Sequence, residues 1–378
     1  MTNFSNLSNY LKSIPGFHTK RKIVVLESDD WGSIRMPSLE VYKEMVKRGF
    51  DAQNRYNQYD TLATVEDLSR LFEVLTSVKD SNGNYCVMTP MCLVANPDFK
   101  KIEETNFREY HYEPFTETLK RYPGCDRSIE LWREGISSRI FIPEFHGREH
   151  LNVTRWMKAL RNGDLDAQLA FRYKFWGYPK RLTAHHAYAS FQAAFDFYDT
   201  TELDKLDDII VEGLNLFRTI FGYNASCFTP PNGPLNRVNE NTSAKNGIKY
   251  IQSARLLYDE PIGLGRTRTR FRYLGKRNHY DQVYLVRNCF FEPNESILFN
   301  WTDKCLRDIK NAFKLNKPAI VSSHRVNYIG ALDIKNRDKG LKQLEDLLKG
   351  IIKSYPDAEF LTSSQLGRII TGNESQTV

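Results

Sequence analysis

The stretch Lys22-Ile23-Val24-Val25-Leu26-Glu27-Ser28-Asp29-Asp30-Trp31-Gly32 decides the fold. Residues 22–28 are apolar and β-branched, and the run is too short for a buried helix, so it reads as a buried strand. Two adjacent acids follow it directly. Ionised carboxylates are costly to bury without a partner, so the pair needs a metal, a cation or solvent, and one of the two can stay free as a base. For Asp-Asp alone, a solvated strand-to-helix turn with an acid as helix cap is the plainer alternative.

Working outward, the same pattern repeats. A helical pattern over 64–78 and the turn Asp80-Ser81-Asn82-Gly83 lead into an apolar run at 85–94. A strand over 139–145 delivers His146, and helical periodicity follows over 151–162. A helix over 203–220 carries Leu206, Ile209, Ile210, Leu214 and Phe217 on one face, with Gly222 as its stop. Then come a strand at 225–228, the turn Thr229-Pro230-Pro231-Asn232-Gly233, a helix over 235–246 and a strand at 248–252. A strand over 282–291, a helix over 302–315, a strand over 318–323 ending at His324, a helix over 339–354 and a strand at 358–362 close the chain. Strand-then-helix order predicts a parallel sheet wrapped in helices, with functional groups at the C-terminal strand ends. Asp29, Asp30, His146, Thr229, Arg287 and His324 all fall there, on one rim.

His146-Gly147-Arg148-Glu149-His150 sets two imidazoles four positions apart. On a helix that spacing puts both on one face, within reach of a shared metal. The Glu that would follow the first His in a zincin helix is missing, so a metalloprotease is excluded. His324, after an apolar strand, can donate a proton near neutral pH.

At 378 residues, with 41% hydrophobic and 13% aromatic content, the chain has room for one large barrel or two domains. No run of about 18 apolar residues exists to span a membrane. The first residues lack a basic start followed by an apolar stretch, so a cytoplasmic location is expected. The six cysteines are scattered without a CxxC pair and read as reduced thiols. The net charge of +7 favours an anionic partner only weakly, and nucleic acid is not expected.

The ordered motifs resemble the polysaccharide deacetylase family, the group built on the NodB homology domain. The apolar strand running into Asp29-Asp30 is similar to the family's first motif, and His146 with His150 to its second. Phe228-Thr229-Pro230-Pro231-Asn232-Gly233 partly matches the third, and Ile320-Val321-Ser322-Ser323-His324 the last. The resemblance covers roughly 22–365. It implies a distorted seven-stranded (β/α) barrel of the glycoside hydrolase/deacetylase type. The implied organisation is a lead-in at 1–21 and one catalytic domain at 22–370, with insertions near 97–140, 165–200 and 255–282.

The resemblance also implies roles. Asp30, His146 and His150 would hold one divalent ion, zinc first, with cobalt, nickel or manganese as alternatives. Asp29 would be the general base and His324 the general acid, and the N–H of Asn232 would help stabilise an oxyanion. The implied reaction is removal of an acetyl group, N-linked in preference to O-linked, from a carbohydrate that is anionic or carrier-linked.

Thr229 stands where the family places an arginine that orients the base. A cation from elsewhere is therefore expected, with Arg287 first, then Arg35, Arg148 and Arg325. The family's fourth motif is best approached by Phe290-Phe291-Glu292-Pro293.

Three further features each allow two readings. Trp31, beside the acids, would wall the site or join the core. Arg266, Arg268, Arg270 and Arg272 alternate and would project from one strand face as an anion cradle, or lie solvated. His185-His186 would line the cleft or sit on a packed aromatic insertion. A glycoside hydrolase on a related barrel, or a carbohydrate-binding relative without activity, are the competing readings.

Overall fold

The computed structural model describes residues 15–50, 54–176, 179–180, 189–197, 199–233, 235–259, 268–296 and 299–373. His185, His186 and Arg266 lie outside the described residues, as does the side chain of Arg268.

The main sheet contains β1 (Lys22–Trp31), β2 (Met88–Leu93), β3 (Glu144–Gly147), β4 (Cys227–Phe228), β5 (Tyr250–Gln252), β6 (Val283–Leu285), β7 (Cys289–Phe290), β8 (Ala319–His324) and β9 (Ala358–Phe360). Its order is β6-β5-β4-β3-β2-β1-β8-β7, with β9 paired to the first residues of β1, and every pairing is parallel. The path begins on β6 and ends on β7, which are consecutive in the chain. The four steps from Leu285 to Cys289 span no more than about 14 Å, so the two ends of the sheet are held together. The ring has seven staves, and its seventh is one strand broken at Val286–Asn288. The sequence read this stave as continuous over 282–291; the break separates pairing to β5 from pairing to β8.

Parity along each strand sorts side chains into two layers. Ile23, Val25, Met91, Cys227, Val283, Leu285 and Ile320 cluster inside the ring. Val24, Leu26, Phe145 and Val321 pack outward with helix residues such as Leu68, Leu71 and Leu344. Helices Val65–Leu75, Ser128–Ser137, Leu203–Phe221, Arg237–Lys245, Trp301–Lys314 and Ile334–Ser354 supply the outer layer. The helix Ser128–Ser137 falls in the stretch expected to be inserted, yet its Trp132 is 2% exposed in the main core. Phe171, Phe175, Trp176 and Phe191 form a second cluster with Trp156, Met36 and Met45. All six cysteines are free and buried. Among the described residues, no helix is long and apolar enough to cross a membrane.

Continuing each strand at the same parity carries Glu27, Asp29, His146, Thr229, Gln252, Arg287, Ser322 and His324 to the inner side of the rim. Asp30 joins them by a different device. Between Ser28 and Trp31, β1 advances three residues while β2 advances two, from Pro90 to Cys92, so β1 carries a bulge. Asp30 has φ +73 within it, and Gly32 follows at φ +86. The extra residue turns Asp30 inward and throws Trp31 outward. Trp31 is 1% exposed, donates from its indole to Ser28 Oγ at 2.9 Å and meets Phe141 and Trp132 edge-on. It belongs to the core and does not wall the site.

A Cβ on Gly32 would stand 2.1 Å from the Leu93 carbonyl oxygen, whereas Gly83, at φ +82, has open space around it. Gly83→Ala is therefore expected to cost only the left-handed backbone strain, ~1 kcal/mol, and Gly32→Ala at least ~2 kcal/mol more, read from urea denaturation. Equal costs at the two positions would contradict the close approach of the β1 bulge to β2.

Candidate active site

Asp30, His146 and His150 offer ligand atoms that all lie within 4.8 Å of one another, and all three residues are buried. Asp30 Oδ1 is 3.4 Å from His146 Nε2 and 3.3 Å from His150 Nε2. His146 Nδ1 lies 2.6 Å from the Thr229 carbonyl oxygen. A carbonyl only accepts, so Nδ1 carries the proton and Nε2 of a neutral ring presents its lone pair to the carboxylate. That Nε2 is buried with no hydrogen-bond partner, and so is His150 Nδ1.

Burial, reinforced by the positive Arg35 and outweighing Asp30, pushes His150 down to about 3, so it is neutral. Burial alone would raise Asp30, but Arg35, 3.7 Å away, holds it well below the usual carboxylate range. Three groups able to donate electron pairs thus meet in a buried pocket. A tetrahedral ion with bonds of ~2.0–2.1 Å has edges of ~3.3–3.4 Å between its ligands. The two separations from Asp30 fit a divalent cation, and the Thr229 carbonyl fixes the tautomer of His146.

The four-residue spacing of the two histidines would suit one face of a helix. The structure instead puts His146 on β3 and His150 in the loop before the helix Val153–Arg161. Gly147, at φ +141, redirects the chain between them, so they converge through a turn.

Asp29 accepts both Arg287 Nη1 at 2.6 Å and Arg287 Nη2 at 2.5 Å, while Arg287 Nε donates to Glu27 at 2.6 Å. One guanidinium therefore bridges two buried carboxylates of β1. Burial would raise Asp29, but Arg287 outweighs it and the carboxyl sits below its ordinary value. Glu27 is fully buried and raised by that burial despite Arg287 and the Ser363 hydroxyl, which donates to it at 2.6 Å. Among the cations considered, Arg287 is the one that reaches Asp29. Of the other cations considered, Arg35 faces Asp30 and Asp60, Arg148 pairs with Glu149 and Glu212, and Arg325 pairs with Asp60 while donating to the Ser33 carbonyl at 2.7 Å.

His324 Nε2 lies 4.0 Å from Asp29 Oδ2, and its Nδ1 donates to Glu292 Oε1 at 2.5 Å. Glu292 is itself held by Arg55 at 2.9 Å and by Asn327 Nδ2 at 2.8 Å. Burial would lower His324, but Glu292 overrides it and raises the imidazole to about 9. Glu27 and Glu292 were not singled out as site residues by the sequence. Their signals were inward parity for Glu27 and, for Glu292, its place in the stretch 290–293 that best approaches the family's fourth motif.

Asn232 is exposed at φ +56 in a turn closed by Gly233 N–H to the Pro230 carbonyl at 2.9 Å. It borders a cleft of about 1490 Å³ that also takes in Asp29, Asp30, His146, His150, Arg287 and His324. In the arginine stripe, Arg272 is buried against Glu240 at 2.8 Å and over the Tyr284 ring, so that member is structural.

No family model and no curated protein matches the chain. Solved structures do match. A polysaccharide deacetylase from Mycobacterium smegmatis is 12% identical, with 97% of this chain and 96% of that one covered at a TM-score of 0.45. A polysaccharide deacetylase from Pseudomonas aeruginosa PAO1 is 11% identical, with 95% and 94% covered at 0.46. An allantoinase is 10% identical, with 96% of each chain covered at 0.46.

Arg287→Met leaves Glu27 and Asp29 side by side without their shared cation. It is expected to destabilise the fold by ~3–5 kcal/mol at pH 8 in urea titrations. In the variant both carboxyls titrate higher folded than unfolded, so stability rises as pH falls and the deficit shrinks towards pH ~5. A deficit that stays constant with pH would contradict the bridging role.

Proposed function

We propose that the chain is a metal-dependent hydrolase that removes an acetyl group, N-linked in preference to O-linked, from a carbohydrate. The observation that carries this reading is the pocket of facing electron-pair donors, Asp30 with His146 and His150, set beside an ionised acid and a protonated imidazole. Zinc suits one carboxylate and two imidazoles best. A cation bound there supplies a Lewis acid for the acyl oxygen and lowers the pKa of water.

The chain's own groups divide the remaining work. Asp29, kept ionised and oriented by Arg287, takes the proton of the attacking water on a carboxylate oxygen. The Asn232 N–H donates to the oxygen that gains negative charge. His324, kept protonated by Glu292, gives its Nε2 proton to the departing nitrogen. Base and acid stand 4.0 Å apart and border the same cleft, so both reach one bound acyl group.

Phe290 and Phe299, 45% and 43% exposed, border the cleft and offer ring faces for sugars. The ordered motifs that resemble polysaccharide deacetylases support the same substrate class.

Acetate release from N-acetylated oligosaccharides tests the reading. Asp29→Asn is expected to lower kcat at least ~100-fold with little change in KM. Full activity in that variant would overturn the assignment. The rate should also fall as pH rises through about 9, where His324 loses its proton. Glu292→Gln removes the charge that raises His324, so its alkaline limb moves to lower pH. An unmoved limb would separate His324 from the acid role.

A further inference from the structure

The proposed chemistry gives Arg35 no part, yet Arg35 borders the cleft beside the donor pocket and is 3% exposed. A buried guanidinium is costly unless its neighbours satisfy it. Three of them fix its position. Its Nη1 donates to Gln192 Oε1 at 3.0 Å, its Nε lies 3.5 Å from Asp60 Oδ2, and its guanidinium carbon stands 4.8 Å from the centre of the Tyr56 ring. The remaining nitrogen, Nη2, stands 3.7 Å from Asp30 Oδ2.

The two oxygens of Asp30 therefore have different partners. Oδ1 is 3.4 Å from His146 Nε2 and 3.3 Å from His150 Nε2, whereas Oδ2 faces Arg35. A carboxylate can give a cation one oxygen or both. An ion held tetrahedrally by three protein atoms keeps a fourth position for a substrate, and a second oxygen from Asp30 would occupy it. Surrendering Oδ2 would also leave the buried Arg35 charge facing a dication without the carboxylate oxygen that balances it. Like charges repel strongly in so dry a place.

We propose that Arg35 is a positioning residue of the cation site, retaining Asp30 Oδ2 so that the metal receives Oδ1 alone, and holding the affinity for the metal down. The fourth position is thereby kept for the acyl oxygen. This inference rests on the reading of Asp30, His146 and His150 as a cation site, and its test is made without turnover.

The experiment joins a crystal structure of the zinc-loaded protein to calorimetric zinc titration at pH 8 of the wild type, Arg35→Met and Arg35→Lys. In the wild type, Asp30 Oδ1 should lie ~2.0–2.2 Å from the ion and Oδ2 beyond ~2.5 Å, on the side of Arg35. Arg35→Met should bind zinc at least about tenfold more tightly and admit both oxygens. Arg35→Lys keeps the charge and should stay within about threefold of the wild type. In the methionine variant Asp60 retains Arg325 at 2.9 Å, and the Tyr56 ring retains the Arg55 guanidinium at 4.7 Å, so the groups that Arg35 leaves keep a partner. Should that variant fail to fold, the wild-type coordination decides alone. Zinc held by both Asp30 oxygens in the wild type overturns the inference and leaves the cation site intact. Unchanged or weaker binding by Arg35→Met, or equal tightening in both variants, overturns it as well. A wild-type protein that takes up no zinc overturns the cation site and the role of Arg35 with it.

Discussion

Where β1 leaves the barrel, three of its steps run beside two of β2, and the residue in excess is Asp30. An unbroken strand would send Asp29 inward, Asp30 outward and Trp31 inward. The bulge sends both acids inward and hands Trp31 to the core. Asp30 takes a left-handed conformation to do so, a strain that a non-glycine residue bears only where its surroundings hold it. Here they do: Gly32 passes close to the Leu93 carbonyl, and the Trp31 ring is locked against Phe141 and Trp132. The ability to present two carboxylates at one rim follows from this single irregularity.

Two adjacent acids are useful only when their environments differ. Asp29 is held by Arg287, which also spans Glu27, so its charge is balanced by a fixed cation of the barrel. Asp30 faces the imidazoles of His146 and His150, and Arg35 sits farther off at 3.7 Å. One carboxylate is thus satisfied within the protein and the other leaves room for an added cation. Across the rim, Glu292 keeps His324 charged. The proposed division between base, cation site and acid follows from which partner each group meets, more than from the groups themselves.

Much of this was legible in the chain. The runs 22–26 and 318–321 announce buried parallel strands because both of their faces are apolar, and strand ends announce Asp29, His146 and His324. Arg287 was found from its place near a strand end and from the missing arginine at Thr229. What escaped has a physical cause. The bulge leaves no composition signal, so the sequence leaves Trp31 open between the site wall and the core. The spacing of His146 and His150 suits a helix as well as a turn, and only the positive φ of Gly147 separates the two. The break at 286–288 is hidden because Val286 and its neighbours still read as strand. Glu27 and Glu292 matter through partners more than 30 residues away, at Arg287 and His324, and such pairing appears only in the folded chain.

The proposed chemistry turns on a cation shared by Asp30, His146 and His150, and anomalous diffraction tests it most directly. Crystals of the protein equilibrated with zinc, measured on both sides of the zinc absorption edge, should give one peak per chain. That peak should lie ~2.0–2.2 Å from Asp30 Oδ1, His146 Nε2 and His150 Nε2. No peak between those three atoms, with zinc in excess and the side chains ordered, would contradict it.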